Sequence, residues 1–136
     1  MQYIYSFLIS FVLFIGLDWV WIGNITRKFY SEVLAPIGKM KDGLLTVNIA
    51  PALVVYVLLS FAFAYFIYPA IETKGLLIGV VSAFILGVCI YGVYEFTNYS
   101  TLAFWPKSLL IVDTLWGGVL SAIVAFMYYW IMRLFS

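Results

Sequence analysis

Histidine is absent from this chain of 136 residues. Its absence removes the HExxH zinc site, the Ser–His–Asp triad and the imidazole base together. Cysteine occurs once, as Cys89 inside an apolar run, so no intrachain disulfide forms and the redox compartment is not legible. Charge is scarce too: seven Lys and Arg against six Asp and Glu, a net +1. That leaves no basic face for nucleic acid and no acidic tail.

What is present is apolar. Hydrophobic residues make up 66% of the chain and charged ones 10%, with a mean hydropathy of +1.12. A soluble domain is about half apolar and a quarter charged. A single-domain length cannot hide so much Phe, Tyr, Trp, Leu and Ile in a soluble core, so lipid is the expected solvent. The first apolar run has no Lys or Arg before it. No small-x-small cleavage site follows it, only Asp18-Trp19-Val20-Trp21. It reads as a retained transmembrane helix rather than a signal peptide.

A membrane helix needs about 20 apolar residues. Four stretches qualify, roughly 3–23, 48–69, 75–96 and 108–132, and none alternates like a β-strand. The expected fold class is therefore all-α: an integral membrane four-helix bundle, with 1–136 as a single transmembrane domain. An even number of spans puts both termini on one side. The first and third links carry Arg27, Lys28, Lys39, Lys41 and Lys107; the other side carries Lys74 and Arg133. This bias places those two links in the cytoplasm of a bacterial inner membrane and both termini outside.

In the first link, Phe29, Tyr30, Val33 and Leu34 form one apolar stripe beside Arg27, Lys28 and Glu32. That pattern fits a short helix lying on the membrane surface, or an ordinary loop with chance spacing. Lys39, Lys41 and Asp42-Gly43 read as solvated turn. Pro51 suits a first helical turn, with Thr46 or Asn48 as its cap. Gly75, Gly79, Ala83 and Gly87 recur every four residues, a row that lets helices pack closely in lipid. The partner helix belongs to this chain or to a second copy, so a homo-oligomer is compatible with it.

Three of the six acids fall inside the apolar runs: Asp18, Glu95 and Asp113. Given the alternating direction of the spans, all three lie on one side, in a band roughly 7–15 Å from the midplane. Asn48 opens the second span on that side, and Thr97 and Asn98 follow Glu95. A carboxylate in hydrocarbon costs about 2.5–3.5 kcal/mol on insertion scales, so the acids are expected to turn inward and share a polar pocket. Lys107 is the candidate counter-ion. Trp19, Trp21, Trp105, Trp116, Tyr91 and Tyr94 are its candidate walls. Carboxylates within aromatic walls suit an organic cation or a lipid headgroup. The plainer alternative is a set of buried acids whose hydrogen bonds fix helix registry.

The motifs Tyr91-x-x-Tyr94-Glu95-x-Thr97-Asn98, Trp105-Pro106 and Asp113-x-x-Trp116-Gly117, with Asp18-Trp19 ending the first run, resemble a family of short bacterial four-helix proteins. These are described only as predicted membrane proteins of unknown function. The resemblance spans essentially the whole chain and implies the four-helix architecture, without an activity. In that family the position of Glu95 is typically Asp. The extra methylene moves the carboxylate by about 1 Å, which works against strict metal geometry.

Three functions are compatible with these residues. Binding or transport of a small cation, proton, amine or lipid headgroup is the first, since intramembrane acids mark ion pathways. A lipid-modifying enzyme is the second, with Asp18, Glu95 and Asp113 holding Mg²⁺ or another hard cation or acting as acid and base. An accessory subunit packed through its glycine rows is the third.

Overall fold

The computed structural model describes every residue from Met1 to Ser136. Four helical rods dominate it: Gln2–Ile25, Ile49–Lys74, Leu76–Thr101 and Lys107–Leu134, of 24, 26, 26 and 28 residues. At 1.5 Å per residue each is long enough to cross a hydrocarbon core of about 30 Å. In lipid every backbone polar group must be satisfied internally, and a helix does that within one segment. Only 24 of the 136 residues are buried. The outer faces carry side chains such as Leu8, Val12, Val54, Phe61, Ile85 and Phe126, which is the surface of a protein solvated by acyl chains.

The first rod is α1 (Gln2–Val20) closed by a π-helical turn, Trp21–Ile25. A short helix α2 (Arg27–Leu34) follows, buried at Tyr30 and Ser31. The stretch expected as solvated turn is instead a small antiparallel hairpin, β1 (Met40–Lys41) against β2 (Leu44–Leu45). Strands of two residues are too short to show alternation. The signal was Asp42-Gly43, whose φ values of 52° and 74° match the tight turn that fits strand twist. The hairpin is tied down where Ser31 Oγ accepts the Leu45 N–H at 2.9 Å.

The second rod joins α3 (Ile49–Ala62), a π-helical stretch Phe63–Ile67, and α4 (Tyr68–Lys74). Pro69 accounts for the widened stretch: it has no N–H for the carbonyl four residues back, and its ring crowds that carbonyl. The link expected at 70–74 is thus helical, and the chain turns at Gly75 with φ +89°. The third rod, α5 (Leu76–Thr101), runs past the expected end at residue 96. Ser100 and Thr101 each donate a hydroxyl back to the Thr97 carbonyl, at 2.9 and 2.8 Å. These bonds let a polar stretch stay helical. The third link shrinks accordingly, and α6 (Lys107–Leu134) opens after Pro106.

Packing is uneven. The most extensive contact is α5 against α6; α1 packs on α3 and α6, and α4 on α5. A Cβ on Gly87 would collide with the Gly117 backbone, and one on Gly117 with the Tyr91 ring. Gly79 faces Ile71 of α4 just as closely. Gly79 and Gly87 of the row are therefore packed against neighbours within the chain. Phe14, Leu59, Phe63, Ile67, Leu120, Val124 and Tyr128 fill the core. Ser6, Ser10 and Ser60, all fully buried, return their hydroxyls to carbonyls three or four residues back, keeping α1 and α3 close without an orphan donor.

Candidate functional site

Asp18, in the last turn of α1, is buried and has both oxygens occupied. Tyr56 of α3 donates its phenol to Oδ2 at 2.6 Å, and Trp116 of α6 donates its indole N–H to Oδ1 at 2.8 Å. One carboxylate thus ties three spans together. Asp113, one helical turn before Trp116, accepts the phenol of Tyr30 from α2. Trp21 stacks on Trp116 with centroids 4.3 Å apart and planes 10° from parallel. Its Nε1 also approaches the Tyr30 hydroxyl at 3.4 Å. The π turn beginning at Trp21 ends with the Thr26 N–H on the Trp21 carbonyl at 2.8 Å. That registry presents the indole to the bundle; such π insertions recur at functional sites.

Glu95 is fully buried. Trp105, in the third link, donates to its Oε2 at 2.7 Å, while Oε1 has no hydrogen-bond partner. The Glu95 carboxyl lies beside that of Asp113, so two acids from neighbouring rods face each other. On the link side, burial first and the Asp113 carboxylate next hold the Tyr30 phenol above its ordinary pKa. Tyr30 is therefore a neutral donor at any ordinary pH.

Asp18 and Asp113 line one cavity of about 580 Å³ together with Val55, Leu58, Leu59, Ile90, Tyr91 and Tyr94. Four of the expected pocket residues thus meet there: Asp18, Tyr91, Tyr94 and Asp113. Trp21 and Trp116 stand behind them through the stack, and Glu95 through Asp113. Four other expected residues lie away from this lining. Asn48 precedes α3 as an exposed residue whose side chain caps nothing. Asn98 stands one turn beyond Tyr94, outside the lining. Lys107 is exposed and pairs with none of the acids; the chain's ion pair is Lys28–Glu32 at 3.9 Å, on the surface. Trp19 is 68% exposed and walls a smaller crevice with Arg27, Tyr30 and Leu45. No three acidic side chains gather as ligands of one metal ion would.

Residues 3–130 match the family described as predicted membrane protein (DUF2177). The chain belongs to that family. No curated protein and no solved structure matches it. The matched range takes in every residue of the acid–aromatic cluster in this DUF2177 chain.

Two residues of the cluster escape a reading of the DUF2177 sequence. Tyr56 gives no local sign except that a tyrosine inside a span, away from the interfacial belt, needs a partner for its hydroxyl. Tyr30 was visible only as one member of the apolar stripe on α2. Its phenol is both the inward edge of that stripe and the donor to Asp113.

Proposed function

We propose that this protein binds a small organic cation, an amine, in the cavity floored by Asp18 and Asp113. The supporting observation is a shortage of positive charge. Three inward-turned carboxylates receive neutral donors only, from Tyr56, Trp116, Tyr30 and Trp105, and no Lys or Arg joins them. Desolvated carboxylates need compensation, so the balancing charge comes from outside the chain, as a proton or a ligand. Aromatic walls favour the ligand: Tyr91 and Tyr94 beside the acids offer ring faces to an ammonium. Asp113 accepts from Tyr30 on one oxygen and its carboxyl also lies against that of Glu95, so an ammonium N–H there would meet two acids.

Binding is better supported than transport by one chain. The half of the bundle away from the acids is filled by Phe14, Phe63, Leu120 and Tyr128, and transporter sites usually lie at the midplane. The acids would then hold a cation at one level of the bundle, toward the first and third links. We infer that this side is cytoplasmic, because it holds five of the seven Lys and Arg. A cysteine placed at Lys107 would be labelled from the cytoplasm and one at Lys74 from outside.

The direct test uses the purified chain in phosphatidylcholine nanodiscs, titrated with butylamine, benzylamine and tetramethylammonium by calorimetry. Saturable binding of one of them, reduced by low pH and lost in Asp113→Asn, supports the reading. Proton uptake with no amine binding would assign the acids to a proton instead.

A further inference from the structure

The cavity opens sideways. Its two lips are Val55, Leu58 and Leu59 on α3, and Ile90, Tyr91 and Tyr94 on α5. These helices do not close on each other there. Helix α3 packs on α1, while α5 packs on α6, α4 and the stretch Phe63–Ile67. The two rods therefore meet near Pro69 and part toward the acids. The lips face lipid: Leu58 is 63% exposed and Tyr94 57%. On the link side, the Tyr30 phenol and the Trp21–Trp116 stack stand between the acids and the first link. The way in that remains is through the bilayer.

We propose that the ligand is a single-chain amphiphilic amine, taken from the membrane, whose ammonium meets Asp113 and Asp18 and whose tail lies in the α3/α5 cleft. This rests on the amine reading above and names its substrate class. Complementarity decides among amphiphiles. An ammonium finds Asp113 beside Glu95, whose buried Oε1 lacks a partner. A phosphate would find no basic side chain among the lining residues, only two carboxylates. An amine joined to a phosphate a few ångströms away, as in an aminophospholipid, would place that anion against Asp18. The six remaining lining residues are apolar or aromatic, which fits one hydrocarbon tail.

The test is photolabelling in phosphatidylcholine nanodiscs with dodecylamine carrying a mid-chain diazirine. Expected labels fall on the segments 55–59 and 90–94. Unlabelled dodecylamine should compete, and dodecanol and dodecyl phosphate should not. Labelling should fall about tenfold or more in Asp113→Asn, the loss of a charge-assisted bond. Leu58→Trp, which plugs the cleft from its lipid edge, should lose labelling of both segments. Three outcomes overturn the inference but leave the amine reading standing. They are butylamine competing as well as dodecylamine, labels confined to the first link, and loss of labelling in phosphatidylethanolamine discs. Labelling of the two segments that persists unchanged in folded Asp113→Asn overturns both.

Discussion

The indole of Trp116 on the last span donates to Asp18 on the first, at 2.8 Å, across 98 positions of sequence. The other oxygen of that carboxylate is held by Tyr56, so Asp18 serves as a three-span clasp. Interhelical hydrogen bonds in membranes are worth about 0.6 kcal/mol on average and up to about 1.7. Trp116→Phe also breaks the geometry of the Trp21 stack. We expect Tyr56→Phe to lower stability by about 1 kcal/mol and Trp116→Phe by about 2, read from thermal denaturation in detergent. In the background of Asp18→Leu, Tyr56→Phe should have little further effect, because its partner is gone. Additive losses in the double variant would mean that the phenol is held by something other than the clasp.

The seam between α5 and α6 predicts a sharp contrast between glycines. A methyl at Gly87 meets the rigid Gly117 backbone, whereas one at Gly92 meets the Thr114 methyl at an ordinary 3.4 Å. Overpacking a tight contact costs about 1–3 kcal/mol. Gly87→Ala should therefore destabilise by about that much, and Gly92→Ala by little or nothing. Equal denaturation midpoints for the two would show that the seam relaxes freely.

These contrasts mark where the sequence was readable. The four rods were legible because lipid demands a continuous apolar run from every span, and the level of the acids followed from counting along those runs. The fate of the glycine row was not, since Gly79 and Gly87 would suit a neighbour in this chain or another equally well. Helix ends were misplaced where hydropathy stops but hydrogen bonding does not, at Thr97–Thr101 and through Pro69. Lys107 stands exposed, because a long side chain near an acid in sequence says nothing of the direction its helix turns it. Tyr30 and Tyr56 were missed for the opposite reason: their partners lie 83 and 38 positions away.

Tyr30 makes the alkaline limb of stability informative. Its phenol is raised in the folded protein by burial and by Asp113, and it returns to an ordinary value of about 10 on unfolding. Below that value both states are protonated and pH changes nothing. Above it the unfolded state loses a proton that the folded state keeps, so stability falls as pH rises. Between pH 10 and 11 the wild type should lose about 1 kcal/mol more than Tyr30→Phe. Parallel curves for the two proteins would place the Tyr30 hydroxyl in water.

The three acids should not respond alike, because their hydrogen bonding differs. Asp18 has both oxygens engaged; Asp18→Asn forces an amide N–H₂ against a donor and should cost stability first, with ligand affinity following. Asp113→Asn leaves the Tyr30 bond a carbonyl to use, so the fold should survive while amine binding is lost. Glu95→Gln is the most diagnostic. Its carbonyl can keep the Trp105 bond, and its N–H₂ fills the position of the unpartnered Oε1, where it can donate to Asp113. The carboxyl pair can hydrogen-bond only with a proton between them, whereas the amide supplies that bond without one, so the variant should melt higher than wild type. The same change removes one negative charge near the ligand and occupies Asp113, so amine affinity should drop about tenfold. Greater stability with weaker binding, measured on one preparation by thermal melt and titration, is a pairing that a purely structural role for Glu95 does not produce. A melt below wild type with affinity unchanged would remove Glu95 from the site.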